Sequence, residues 1–135
     1  MNLTAINTAI YGRLAGGTAL TTALGGTAIY YNNAPTGKAL PYIVCQIATR
    51  IDENQSPHRT ENMLAMIRAY ATTPVQANSI DAEIDTLMHN KPLTSSGVTS
   101  NFWCMRESSY SGIEVDKSSR VVNYSGAEYR IRIDI

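Results

Sequence analysis

The side chains of this 135-residue sequence that could do chemistry are His58, His89, Asp81, Asp85, Cys45 and Cys104. A histidine titrates near neutrality and can act as a base or a metal ligand. His58, however, lies in a polar stretch and His89 at a helix end, and both read as surface residues. Asp81 and Asp85 stand four apart, so one helix edge carries both carboxylates, a spacing that could serve a metal. No histidine or third carboxylate is placed beside them by the sequence, and they read as a solvated helix flank. Cys45 as a nucleophile would need a neighbouring base to make its thiolate, and no spacing supplies one. Both cysteines lie in hydrophobic segments and read as reduced core residues rather than a disulfide framework. Gly37-Lys38 lacks the upstream glycine and the following Ser or Thr of a phosphate-binding loop. There is no Cys-x-x-Cys, no His-Glu-x-x-His and no calcium loop. The sequence is therefore read as non-enzymatic, with no cofactor and no metal.

Composition bounds the remaining classes. Hydrophobic residues make up 44% and charged residues 16%, and eleven basic side chains balance eleven acidic ones. That composition belongs to a globular chain. It excludes a general basic coat for nucleic acid, though not a local patch. The start has no basic n-region, and no apolar run approaches the roughly 18 residues of a membrane span. A cytosolic chain is expected, so the sequons at Asn2 and Asn123 are read as chance matches. One domain is expected over 1–135.

The elements follow from periodicity. Leu3, Ile6, Ile10 and Leu14 recur at helical spacing and predict a helix over 3–15, stopped by Gly16-Gly17. Thr18 to Leu24 reads as one or two further turns, ended by Gly25-Gly26, and Ala28 to Tyr31 as a short strand. Asn32 to Leu40 is a turn-rich connection. A long strand then places Ile43, Cys45, Ile47 and Ile51 on one face. Asn62 to Tyr70 is a second strand, antiparallel to the first if 52–61 is a hairpin. Thr73-Pro74-Val75-Gln76 is a capping box with proline at the first helical position. It opens a helix whose arc Ala77, Ile80, Ile84, Leu87 and Met88 faces a sheet. Val98 to Glu107 is read as a strand, with Phe102 and Trp103 in the core. In the last strand Ala127, Tyr129, Ile131, Ile133 and Ile135 alternate with Glu128, Arg130, Arg132 and Asp134, and the arginines are read as cross-strand ion pairs. The predicted fold is α+β, a largely antiparallel sheet with two main helices packed on one face.

Two stretches stand out as long polar loops, 52–61 and 107–120. Arg50, Asp52, Glu53, His58 and Arg59 sit in or beside the first. Tyr110, Glu114, Asp116, Lys117 and Arg120 sit in the second. They read either as solvated loops or as surfaces that fold against neighbouring subunits, where mixed charge and Tyr set register and partner choice.

The run Ala9-Ile10-Tyr11-Gly12-Arg13-Leu14, with Leu20, Leu24-Gly25-Gly26 and Ile29-Tyr30, resembles the opening of the tail-completion proteins of tailed bacteriophages. So do Ala34 to Val44, with Leu40-Pro41-Tyr42, and the strand–Thr-Pro–helix passage from Ile67 to Leu87. The resemblance implies a virion protein assembled in the bacterial cytoplasm, a tail terminator that joins tail to head. Such proteins form a ring, commonly a hexamer, at the head-proximal end of the tail tube. Its implied partners are further copies of itself, the tube protein and the head connector, with DNA passing through without sequence-specific binding. Tube subunits stack head to tail and grow without limit unless one end is covered; zero net charge suits a conduit that should not grip phosphates. Two alternatives stay open: a head-completion or adaptor protein of the neck, and a small ligand-binding or hydrolase domain using His58, His89 or the Asp81/Asp85 pair.

Overall fold

The computed structural model describes residues 3–54, 59–93, 102–116 and 118–134. Helix α1 runs Leu3–Ala15, α2 Thr18–Leu24 and α3 Pro74–Met88. The strands are β1 Ile29–Tyr31, β2 Tyr42–Asn54, β3 Arg59–Ala71, β4 Lys91–Pro92, β5 Phe102–Val115 and β6 Val121–Asp134. They form one six-stranded sheet in the order β1-β2-β3-β6-β5-β4. Every neighbouring pair is antiparallel apart from β1–β2. The expected α+β class holds.

Local signals explain the helix boundaries. Gly25 adopts φ 73°, and the amides of Gly25 and Gly26 cap the carbonyls of Thr22 and Thr21. This is the paired closure that a left-handed glycine makes possible. At α3 the Gln76 amide donates to Thr73 Oγ1 at 3.2 Å, as the capping box predicts. The Gln76 side chain accepts from the Thr72 hydroxyl at 3.3 Å.

The main core lies between the helices and one face of the sheet. Ile6, Ile10 and Leu14 of α1 and Ile80, Ile84 and Met88 of α3 are buried with Ile43, Met63, Ile67, Tyr129 and Ile131. Each buried aliphatic side chain contributes roughly 1.5–3 kcal/mol relative to exposure. A second, smaller cluster of Tyr42, Tyr70 and Val122 lies on the opposite face, packed by Ala34 and Leu40 of the connection that follows β1.

Several expectations are corrected. The stretch 107–120 is not a loop: β5 continues to Val115, and only the turn around Asp116–Arg120 separates it from β6. Ser108, Ser109, Ser111 and Gly112 carry no strand propensity and gain their conformation from pairing with β6. The stretch 52–61 is a hairpin, but both of its arms are strand, pairing out to Asn54↔Arg59. The strand expected over 98–107 is β5, described from Phe102. The expected common face of Ile43, Cys45, Ile47 and Ile51 breaks between Ile47 and Thr49, where β2 carries a bulge. One extra residue reverses the alternation, so Ile51 leaves the helix face and Arg50 joins it. A matching bulge interrupts β5 between Arg106 and Ser108.

The sheet is much longer than its cover. Helix α3 has 15 residues, about 22 Å, whereas β6 has 14 residues and spans about 45 Å. Among the described residues, no helix is long and apolar enough to cross a membrane.

Candidate functional site

The register fixes where the predicted residues lie. At one end of the sheet is the β2–β3 hairpin, with Asn54 opposite Arg59. At the other is the β5–β6 hairpin, with Val115 opposite Val121. The 13 residues of β3 separate them by about 40 Å. Arg50, Asp52, Glu53 and Arg59 therefore sit toward the first end, and Tyr110, Glu114, Asp116 and Arg120 toward the second. The structure does not bring the two sets into one site. His58 and Lys117, and the side chains of Glu53, Arg59, Phe102 and Trp103, lie outside the described residues.

At the β5–β6 end the organising residue is Arg68, which sequence reading passed over. Arg68 pairs across β6 with Gly126, which pairs with Tyr110 on β5. Because Gly126 has no side chain, Arg68 lies across β6 and its Nε donates to the Tyr110 hydroxyl at 3.2 Å. The guanidinium also stands 5.2 Å from the Tyr110 ring centre and 5.6 Å from that of Tyr124, within cation–π range. Its Nη1 donates to Tyr70 at 3.4 Å and lies 4.0 Å from Glu114. Gly112 repeats the device, its missing Cβ leaving room for the Tyr124 ring. Tyr30, Tyr42, Tyr70, Tyr124 and Tyr110 form a continuous aromatic row across the strands. Burial raises the Tyr70 and Tyr110 hydroxyls, with the Arg68 hydrogen bonds pulling the other way. The available signal was a cation among apolar residues, in Ala65-Met66-Ile67-Arg68-Ala69, facing a Tyr-x-Gly segment.

The turn beyond this row is held by Asp116. Its Oδ1 accepts from the amides of Ser118 and Arg120, both at 2.9 Å, and its Oδ2 pairs with Arg120 at 2.8 Å. Arg120 reaches on to the Lys38 carbonyl at 2.8 Å, tying the turn to the connection after β1. Between them is a cleft of about 260 Å³, lined by Asn33, Pro35, Tyr42, Arg68, Glu114 and Arg120 among others. Backbone hydrogen bonding from Arg120, with its side chain, holds the Asp116 carboxyl below its usual value. A depressed carboxylate stabilises the fold above its unfolded pKa, and that stabilisation is lost as pH falls through the folded value. The amides of Ser118 and Arg120 are therefore expected to lose protection at acid pH before the strand amides do, which hydrogen exchange measured down a pH series will show.

At the β2–β3 end, Arg50 Nε donates to Glu61 Oε1 at 2.7 Å, and the Glu61 side chain is only 4% exposed. The β2 bulge makes this pair by turning Arg50 to the helix face. In the middle of the sheet, Arg130 binds Glu107 across the strands through two contacts of 2.5 and 3.1 Å, an ion pair of the kind expected for the last strand.

Asp81, Asp85 and His89, weighed first for chemistry, have structural partners. Asp81 is buried, not solvated. Its two oxygens accept from Arg106 at 3.2 and 2.8 Å, and Asp85 stands 3.6 Å from the same guanidinium. Arg106 also donates to the Tyr129 hydroxyl at 2.9 Å. The hydrogen bond that Arg106 donates to Asp81 leads the interactions that hold its guanidinium protonated beyond the ordinary arginine range. His89 is exposed, and its Nδ1 accepts from the Arg106 amide at 3.0 Å. Among the described residues, no three His, Cys, Asp or Glu side chains gather to hold a metal. Cys45 and Cys104 are free and buried, and burial pushes both thiols up to about 12. An aromatic disulfide reagent at pH 8 is expected to label neither until the chain unfolds, and then both; rapid labelling of the native protein would refute their burial.

Apolar side chains surface where the sheet overhangs its helices. Ile113, Val115 and Val121 are 70, 63 and 61% exposed around the β5–β6 hairpin, and Ile51 is 58% exposed on β2.

The fold has solved counterparts. A chain from the virion of a native gene transfer agent particle aligns with a TM-score of 0.71 at 16% identity, covering 98% of this chain and 96% of that one. Bacteriophage SPP1 gp17 aligns with a TM-score of 0.57 at 17% identity, covering 96% and 89%. At these identities the likeness is one of fold. A sequence search of curated proteins gives no match. The sequence profile of the tail completion protein gp17 family matches residues 8–135, so the chain belongs to that family, whose members are structural proteins of phage tail assembly.

Proposed function

We propose that the chain is a single-domain tail terminator. It forms a ring at the head-proximal end of the tail tube, stops tube growth and offers the surface onto which the head connector docks. The observation that carries this reading is the pair of unlike ends about 40 Å apart on one sheet. A cap needs one face that matches the tube and another that does not, because a subunit with two matching faces would simply extend the stack. Here the Arg50–Glu61 hairpin occupies one end, and the Asp116–Arg120 turn with its apolar flank occupies the other. The eight described residues among the ten predicted for interfaces divide between these ends, and both sets are proposed as contacts to different neighbours. With eleven basic and eleven acidic residues, the ring carries no net charge to hold a passing duplex.

The test is electron microscopy of a lysate from the parent particle with an early stop codon in this gene. Filled heads beside unattached tails of excessive or irregular length are expected. Tails of normal length beside unjoined heads would assign the protein to the head side of the neck, and intact infectious particles would end the structural reading. A narrower prediction concerns the β2–β3 tip. Replacing residues 55–58 with a two-residue turn, and keeping the Arg50–Glu61 pair, should leave the melting temperature within about 2 °C and abolish joining. Rescue of infectivity by the shortened protein would remove that tip from the interface.

A further inference from the structure

The two outermost long strands of the sheet are barely covered. Strand β2 has 13 residues, of which β1 pairs with Ile43–Cys45 alone. Strand β5 has 14 residues, of which β4 pairs with Trp103 and Cys104 alone. Beyond these, no described strand lies along either outer edge, so β2 is open toward Asn54 and β5 is open toward Val115. An open edge presents a row of backbone donors and acceptors, which proteins usually blunt with short strands, lysine or proline. Past Arg106, whose amide is taken by His89, the open part of β5, Glu107–Val115, contains neither lysine nor proline. Its centre is Ser108, Ser109, Ser111 and Gly112, small enough for another backbone to approach. The exposed Ile113, Val115 and Ile51 lie on these same two open halves.

We infer that these edges bind each other between copies of this chain, the open half of β5 in one protomer pairing with the open half of β2 in the next. The proposal deepens the ring reading and rests on it.

Strand polarity supports the match. Going from β2 through β3 and β6 to β5, each strand reverses direction. The β2 of an identically oriented neighbour would therefore arrive antiparallel to β5 and continue the alternation. Because the two edges differ, the contact is head to tail, the kind that closes into rings.

The positions of β1 and β4 also set the offset. Through the register, Ile47 on β2 stands level with Ala65, Tyr129 and Arg106. A neighbour placed at the same height would thus meet only the few residues of β5 just past β4. Engaging both open halves, with like faces of the two sheets continuous, requires a slide of six residues, about 20 Å. The four long strands are about 19 Å wide, so the slide corresponds to strands tilted by about 45°. Closed sheets adopt tilts of about 35–45°. The short end strands thus act as stops that select a register compatible with closure.

The test is a cross-link across the proposed seam in assembled tails. Gln46, Thr49 and Glu114 are exposed and stand on the face away from the helices, opposite Met66, Leu64 and Val122. Glu114→Cys is combined with Gln46→Cys, level with it at a slide of six residues, or with Thr49→Cys, level with it at a slide of eight. The buried Cys45 and Cys104 supply no competing thiol. Circular dichroism and melting of each purified variant check the fold. Mild oxidation is expected to give a ladder of disulfide-linked protomers ending at the ring number, collapsing on reduction. No ladder from either pair, while a long amine-reactive cross-linker still gives multimers, would overturn the edge pairing and leave the ring standing. No multimers with either reagent would remove the ring and the seam together.

Discussion

Gly126→Ala is expected to lower stability by about 3 kcal/mol, and to lower the melting temperature by roughly 10 °C. A Cβ at this position would lie 2.4 Å from the Ile67 carbonyl oxygen and 2.9 Å from Arg68 Cα. Both obstacles are backbone, in the strand paired with β6, so relief requires the two strands to part rather than a side chain to swing. The same methyl would meet Arg68 Cγ at 3.1 Å and lift the guanidinium from Tyr110. Arg68→Met at wild-type Gly126 removes that contact without forcing the strands apart, and should lose about 1 kcal/mol. Urea unfolding of the two variants separates the causes. Equal losses would mean that the cluster, not the close strand approach, requires the glycine.

Arg106→Leu carries the second large effect, about 3–5 kcal/mol. The substitution leaves Asp81 buried on helix α3, with the Ser125 hydroxyl donating to it at 3.3 Å. It also strips the charged donor from Tyr129, the largest fully buried side chain among the described residues. Asp81→Leu combined with Arg106→Leu should recover most of the loss, because removing both charges leaves neither uncompensated. A single variant as stable as wild type, or a double variant as unstable as the single, would show that the pair is not held at the expense of buried charge. Against a total stability of about 5–15 kcal/mol for a domain, either Gly126→Ala or Arg106→Leu takes a substantial share.

The parts of the fold legible in the sequence are those whose cause is local. Leu3, Ile6, Ile10 and Leu14 announce α1, Thr73-Pro74 opens α3, and the alternation from Ala127 to Ile133 marks the end of β6. The misreadings have non-local causes. A bulge needs one extra residue and no particular side chain, so nothing in Ala48 or Glu107 marks the reversals of face that follow them. The Ser-rich part of β5 has the composition of a loop and becomes strand because β6 lies beside it. Asp81 has the spacing of a solvated flank, and its partner Arg106 is 25 positions away. The candidate interface residues were legible as two polar groups, but not the distance between them, since only the strand register sets that length. Arg68 was overlooked because its significance depends on Gly126, an absence of side chain on another strand.

The overhang of the sheet beyond its helices divides the labour of the chain. The helix-covered middle supplies most of the energy of folding, while the exposed side chains of the projecting tips, Ile51 at one and Ile113, Val115 and Val121 at the other, lie outside the core. Substitutions of these exposed side chains therefore leave the folding energy largely untouched. Either tip is free to drift toward a new neighbour, or to be exchanged as a cassette between chains, while the other keeps its existing attachment. A joining protein built this way can change what it joins one side at a time.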